Sequence, residues 1–390
     1  MLSELNTNLK LLAALYVIFS LANGLLAVVM PPYLLHLGFT GAEAGLLLAV
    51  MNLAMIAGMV PFSYVADLKG RKPLAIAAFA LALPAGLALY SANKAAVFAA
   101  YLLNGLANSM AVVSLNPLVA DSAGRREVME KAFTALQVLS LVSSSAGMLV
   151  AAAYPSLGAA DRVSAYRSMI LYAYLGLLAG LVPLLGVREE YRPGPRNGLR
   201  LSFSKVSLEL ALLAALTGLG AGIGVWNSGY YFSKKFGVEA FELGIRGVAE
   251  NALLAAATLL APLASRRLGT LGAVVAFQLA SVPLLAATAL SPSFVYAAAF
   301  FTARSMLMNA ANPLLSALQM SLVEEGERAR LSMLLTLAFQ LPGSIGSAIG
   351  GYLMDVQIDL PIYLTSAVYA VQTALLYTLL KPHLAQSKAS

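Results

Sequence analysis

Long apolar runs alternate with short clusters of charge, Gly, Pro and Asn along the whole chain. A helix crossing the hydrocarbon of a bilayer needs about 20 predominantly apolar residues. Twelve stretches meet that requirement, at roughly 10–35, 42–66, 72–92, 95–120, 129–154, 165–187, 206–233, 240–263, 270–290, 293–320, 329–354 and 360–380. Polar residues inside these runs recur at helical spacing. Tyr16, Ser20 and Asn23 share a face of the first span, Asn104 and Asn108 a face of the fourth, and Arg304, Met308 and Asn312 a face of the tenth. The segment 188–205 carries two prolines, two glycines and four arginines, the composition of a surface linker. It separates six spans from six. The expected fold is therefore an all-α integral membrane protein, with twelve transmembrane helices in two six-helix bundles over 1–187 and 206–390. The first span is too long for the apolar core of a signal peptide and is read as a true span.

Composition supports the bilayer. Hydrophobic residues make up 60% of the chain and charged residues 11%, and the mean hydropathy is +0.80. A soluble domain has about 45–50% apolar and about 25% charged residues. There is no Cys, so disulfides, thiolate metal sites and Cys nucleophiles are excluded. His36 and His383 stand far apart, and no nucleophile–base pair or metal set lies within the spans. An enzyme is not expected, and neither is a cofactor. The net charge of +7 is read as topology rather than nucleic-acid binding. With the N-terminus in the cytoplasm, eighteen Lys and Arg fall in cytoplasmic segments and only Lys94, Arg162, Arg167, Lys234 and Lys235 fall outside. That bias places both termini in the cytoplasm and the protein, read as a monomer, in the cell membrane.

The two halves align with each other. LGFTGAEAGLLLAVMN (37–52) lies over FGVEAFELGIRGVAEN (236–251), matching Gly38, Glu43, Gly45 and Asn52 with Gly237, Glu242, Gly244 and Asn251. Gly70 meets Gly269 at the same offset. SMAVVSLNPL (109–118) lies over SMLMNAANPL (305–314). Such internal repeats are a feature of secondary transporters.

The loop after the second span reads SYVADLKGRK (63–72). It resembles the signature G-x-x-x-D-R/K-x-G-R/K-R/K between spans 2 and 3 of the major facilitator superfamily. Asp67, Gly70, Arg71 and Lys72 match, Ser63 replaces the first Gly, and Leu68 replaces the first basic residue. The resemblance implies a conformational latch of Asp67, Gly70, Arg71 and Asp121, the last ending span 4. It also implies a central cavity between the bundles lined by spans 1, 2, 4, 5, 7, 8, 10 and 11. The family's Arg on span 4 is replaced by Tyr101, so coupling schemes built on that Arg do not carry over. LPGSIGSAIGGYL (341–353) on span 11 is similar to the Gly-Pro-rich motif that antiporters of the superfamily carry on span 5, where this chain has only SSSAGMLVAAAY (143–154). Pro117, Pro313 and Pro342 offer bending points.

Ionisable residues inside a membrane are costly and point to function. Glu242, Arg246 and Glu250 follow one another at four-residue spacing on span 8, with Glu250 about 15 Å deep. Arg304 on span 10 lies at a similar depth, and an Arg304–Glu250 pair is one expectation. Glu250 is the candidate proton carrier. The substrate-cavity candidates are Asn23, Asn52, Asn104, Asn108, Trp226, Asn227, Tyr231, Arg246, Arg304, Met308 and Asn312. For any single Asn the alternative is an ordinary interhelical hydrogen bond.

These features imply a secondary active transporter working by alternating access on a small-molecule substrate and a proton gradient. The mixed aromatic, Met and Asn complement favours export of an amphipathic, drug-like solute by antiport. Arg304 suits an imported organic anion instead. WNSGYY (226–231) is similar to the Asn and paired Tyr on span 7 of sugar porters. A further reading, of another class, is a non-transporting membrane sensor on a transporter fold.

Overall fold

The computed structural model of the chain describes residues 6–153, 161–189, 203–324 and 327–386. Tyr154, most of the expected 188–205 linker with Arg192, Arg196 and Arg200, and Lys388 lie outside the described residues. Regular structure among the described residues is helical. It forms α1 (Thr7–His36), α2 (Gly41–Lys69), α3 (Arg71–Tyr90), α4 (Lys94–Ala123), α5 (Arg126–Ala153) and α6 (Arg162–Gly186) in the first half of the chain. The second half contributes α7 (Lys205–Phe236), α8 (240–268), α9 (270–290), α10 (294–321), α11 (Arg328–Val356) and α12 (Leu360–Gln386). Among the described residues, ten helical segments are long and apolar enough to cross a membrane by length and composition. Large apolar side chains such as Val60, Val182, Leu290 and Val295 stand more than 70% exposed, which suits a lipid-facing surface.

Local chemistry sets the helix ends. The Asn6, Asn93, Asp161 and Ser204 side chains accept hydrogen bonds from the first free amides of α1, α4, α6 and α7. At α2, Thr40 and Glu43 cap reciprocally, with Thr40 N donating to Glu43 Oε2 at 2.8 Å and Glu43 N to Thr40 Oγ1 at 3.1 Å. Glu242 does the same for Glu239 N at 3.0 Å at the start of α8. Glu242 is thus a capping residue at a helix end, and the three-residue ionisable face expected on span 8 reduces to Arg246 and Glu250. Breaks within helices fall just before prolines. Leu81 precedes Pro84, Gly180 precedes Pro183 and Ala311 precedes Pro313. Each proline lacks an N–H and crowds the carbonyl four residues back. Helices α4 and α11 run unbroken through Pro117 and Pro342.

The repeat is visible in the backbone. Gly38 and Gly237 end α1 and α7 at φ 72° and 65°, while Gly70 and Gly269 open α3 and α9 at φ 91° and 71°. These left-handed turns require glycine. Helix pairing repeats as well: α1 packs on α5 as α7 packs on α11. A Cβ on Gly147 would strike the Leu21 carbonyl oxygen, and one on Gly346 would strike that of Leu219.

The described residues form two compact units. Unit 1 falls within Met1–Phe39, Val50–Asn197 and Val238–Gly247, and unit 2 within Thr40–Ala49, Gly198–Gly237 and Val248–Ser390. The expected halves 1–187 and 206–390 therefore exchange one segment each. The cause is close packing. Gly45 has no room for a Cβ against Ser347 and Gly351, and Gly244 and Gly247 sit against Met148. Unit 2 has its own apolar core, including Leu210, Val274, Leu318, Leu331 and Leu376 from α7, α9, α10, α11 and α12.

Candidate functional site

At one end of unit 1, the turn at Gly70 brings the start of α3 against the end of α6. Glu189 accepts from Arg71 N at 2.7 Å and Lys72 N at 2.9 Å, placing a carboxylate on a helix N-terminus. Lys72 Nζ donates to the Leu185 and Val187 carbonyls, both at 2.8 Å. The Arg71 guanidinium pairs with Asp121 at the end of α4. Arg71 and Asp121 thus meet as expected from the loop motif, and Asp67 lies exposed nearby in sequence at the end of α2. Glu189, which the sequence reading did not single out, holds the same loop through its backbone.

The opposite end of unit 1 gathers a second cluster around Glu239. His36 Nε2 lies 2.9 Å from Glu239 Oε1, and Arg162 Nη1 donates to the same oxygen at 2.6 Å. The Tyr166 hydroxyl donates to Oε2 at 2.6 Å. Burial alone would raise this carboxyl. Donation from Tyr166 and His36 and the charges of His36 and Arg162 outweigh it and hold Glu239 below the ordinary carboxylate range.

Unit 2 carries a comparable pair of carboxylates. Asp355 at the end of α11 accepts from Gly41 N at 2.8 Å, Ala42 N at 2.7 Å and Lys234 Nζ at 2.5 Å. Asp359, before α12, accepts from Lys235 Nζ at 2.5 Å and the Tyr231 hydroxyl at 2.6 Å. Within α7 the backbone widens to a π-turn over Ala221–Val225. The buried Asn227 amide ties it down, donating to Gly222 O at 3.3 Å and Ser347 O at 3.1 Å. Trp226 sits edge-on to Phe339, ring centroids 5.9 Å apart. Such π-turns are frequent at functional sites.

Arg304 on α10 is 3% exposed. Its guanidinium carbon lies 5.1 Å from the Tyr369 ring centroid and 5.9 Å from that of Phe301, and it hydrogen-bonds to Tyr369. Nε has no partner, and no Asp or Glu among the described residues pairs with it. The expected Arg304–Glu250 pair is therefore not formed.

Family-level comparison adds to this geometry. The sequence model of the Major Facilitator Superfamily matches residues 12–347. The chain belongs to the Major Facilitator Superfamily. A search of curated proteins finds no significant match. Similar solved structures include a bacterial homologue of the human lysosomal transporter Spinster, at 15% identity and TM-score 0.77 over 96% of this chain and 97% of that one. The nucleoside transporter NupG gives 15% identity and TM-score 0.73 over 98% and 100% of the two chains. The xylose transporter XylE from E. coli gives 12% identity and TM-score 0.75 over 95% and 96%. The chain is a multi-pass membrane transporter of this superfamily.

Within that superfamily fold, the other sequence candidates separate. Tyr231 is engaged by Asp359. Asn104 donates to the Tyr174 hydroxyl at 2.6 Å, Asn23 to its own helix at Phe19 O, and Asn312 is exposed and bonded to Asn309. Of these, only Asn104 makes an interhelical hydrogen bond; Asn23 and Asn312 bond within their own helices. Asn52 and Asn108 are half-buried in unit 1. Arg246 and Glu250 are half-buried on α8, in unit 1 and unit 2 respectively. Met308 is buried, with Sδ 3.9 Å from Ser281 Oγ. The clusters at Glu239 and Asp355 escaped the sequence reading. Their one visible signal was His36, Arg162, Lys234 and Lys235 collected in loops on one side of the predicted topology.

Proposed function

We propose that this superfamily member is a secondary active transporter that moves a small solute by alternating access and draws its energy from a proton gradient. It works as a monomer in the cell membrane with both termini in the cytoplasm. The observation that carries the reading is Glu239. This carboxylate comes from the second half of the chain and is held by three side chains of the first half, at a helix end, through hydrogen bonds that can part and re-form. Glu250 is the membrane-embedded candidate for carrying the proton. Two cargo readings follow. Trp226 against Phe339 supports an amphipathic, drug-like solute exported by antiport, and the buried Arg304 supports an organic anion. Arg304 weighs more, because a guanidinium buried without a counter-ion calls for one.

The test is counterflow in proteoliposomes. Vesicles loaded with unlabelled solute should accumulate labelled solute, and an imposed pH gradient should drive net flux that Glu250→Gln abolishes. Saturable binding without counterflow would replace the transporter by a sensor on the same fold. Full pH-driven flux in Glu250→Gln would remove Glu250 from coupling.

A further inference from the structure

We infer that Arg304, Tyr369 and Phe301 form the binding site for a monocarboxylate with an apolar body; the inference rests on the transporter reading above. Burying a charge is strongly unfavourable unless it is paired. Arg304 is 3% exposed, yet it has no carboxylate partner among the described residues. The fold meets its cost only in part. The rings of Tyr369 and Phe301 give the guanidinium cation–π contact, and Tyr369 gives it one hydrogen bond. Nε is left without a partner, so part of the guanidinium fork is unused. A planar carboxylate matches such a fork in shape and charge.

Charge arithmetic narrows the ligand further. One guanidinium neutralises one negative charge, and a dianion would leave a net charge buried. The surroundings select an apolar body. Phe301 is itself edge-on to Phe232, ring centroids 5.4 Å apart, and Met308 lies one helical turn beyond Arg304 on α10, also buried. Arg304 supplies the charge and Tyr369 orients it, while the aromatic and Met side chains receive the remainder of the solute. The isostere with a neutral amide in place of the carboxylate would leave the same buried charge unpaired and should be rejected.

The experiment measures binding of radiolabelled benzoate, benzamide and inorganic phosphate to the purified full chain in nanodiscs by equilibrium dialysis. Benzoate should bind saturably, with benzamide and phosphate at least tenfold weaker. Arg304→Gln should lose benzoate binding, and Tyr369→Phe should weaken it severalfold. Equal binding of benzoate and benzamide, or unchanged benzoate binding in Arg304→Gln, would overturn the site. The benzoate–benzamide comparison uses the wild-type chain, so the site is tested even if Arg304→Gln fails to fold. The two readings fail separately. Benzoate binding without counterflow keeps the site and removes the transporter, whereas counterflow of a cationic dye without benzoate binding keeps the transporter and removes the site.

Discussion

Asp355 caps Gly41 across 314 positions of sequence, its Oδ1 accepting from the Gly41 amide at 2.8 Å while Oδ2 accepts from Ala42 N at 2.7 Å. The carboxylate sits where the α2 macrodipole is most positive, and Lys234 Nζ reaches it at 2.5 Å. Asp355→Asn keeps the shape and removes the charge. Charge-assisted bonds of this kind are worth about 1.5–3 kcal/mol when both groups are screened from water, and this site is partly exposed. The variant should lose about 1 kcal/mol locally, roughly a fivefold rise in opening. Hydrogen exchange of the peptide spanning 40–45 reads this directly. Unchanged exchange would mean that the cap does not hold α2.

Glu239 offers a pH test. Its carboxyl is held below the ordinary value of 4.5, so the folded state favours the ionised form. That stabilisation is fully present above the unfolded value and is lost as pH falls through the lower folded value. Glu239→Gln removes the titrating group together with the anionic partner of Arg162. The midpoint of thermal unfolding should therefore fall at neutral pH, and its dependence on pH below 4.5 should flatten relative to wild type. Parallel acid profiles for the two proteins would show that the Glu239 cluster contributes nothing to the fold.

The two clusters also mark the boundary of what sequence alone discloses. Apolar run length placed the helices, because the requirement for about 20 apolar residues acts on contiguous sequence. The turns at Gly38, Gly70, Gly237 and Gly269 were legible as matching glycines, since only a left-handed backbone demands that residue there. The Arg71–Asp121 pair was implied by the resemblance of the 63–72 loop to the superfamily signature. Glu239 and Asp355 did not, because their partners come from helices distant in sequence and nothing local specifies which ends meet. Arg304 and Glu250 matched in depth, but depth does not fix rotation about the helix axis, and the guanidinium is turned onto Tyr369. Glu242 groups with Arg246 and Glu250 by its four-residue spacing, but it stands in the first turn of α8, where its carboxylate caps the Glu239 amide.

At the other end of unit 1, Arg71 and Glu189 should separate stability from turnover. The Arg71–Asp121 pair is substantially exposed, with side chains 31% and 60% accessible, and surface pairs contribute about 0–1 kcal/mol. Arg71→Ala should barely move the unfolding midpoint but should slow counterflow, and Asp67→Asn should do the same while sparing binding. Glu189→Gln removes the charge that caps two backbone amides of α3 and should destabilise by about 1–2 kcal/mol. If Arg71→Ala unfolds the protein as readily as Glu189→Gln, the loop is structural and the latch assignment fails.

Glycines at helix contacts give the sharpest stability contrast, because the two repeats supply internal replicates. A Cβ on Gly147 would meet Leu21 O, and one on Gly346 would meet Leu219 O, so Gly→Ala at either position must push α5 from α1 or α11 from α7. Gly222 is tighter still, with the Gly343 carbonyl oxygen where its Cβ would stand. Backbone atoms cannot rotate aside as a side chain tip can, and overpacking of this kind costs about 1–3 kcal/mol. Gly176 has open space around the same position, so Gly176→Ala adds only helix propensity, a gain of up to about 1 kcal/mol. Chemical denaturation in detergent should therefore rank Gly222→Ala as the least stable variant. Gly147→Ala and Gly346→Ala should be comparably destabilised, and Gly176→Ala should be at or above wild type. Matched losses at Gly147 and Gly346 would make the repeat energetic as well as geometric. A large loss at Gly147 with none at Gly346 would mean that only α1 and α5 depend on backbone contact, with α7 and α11 free to separate by the width of a methyl group.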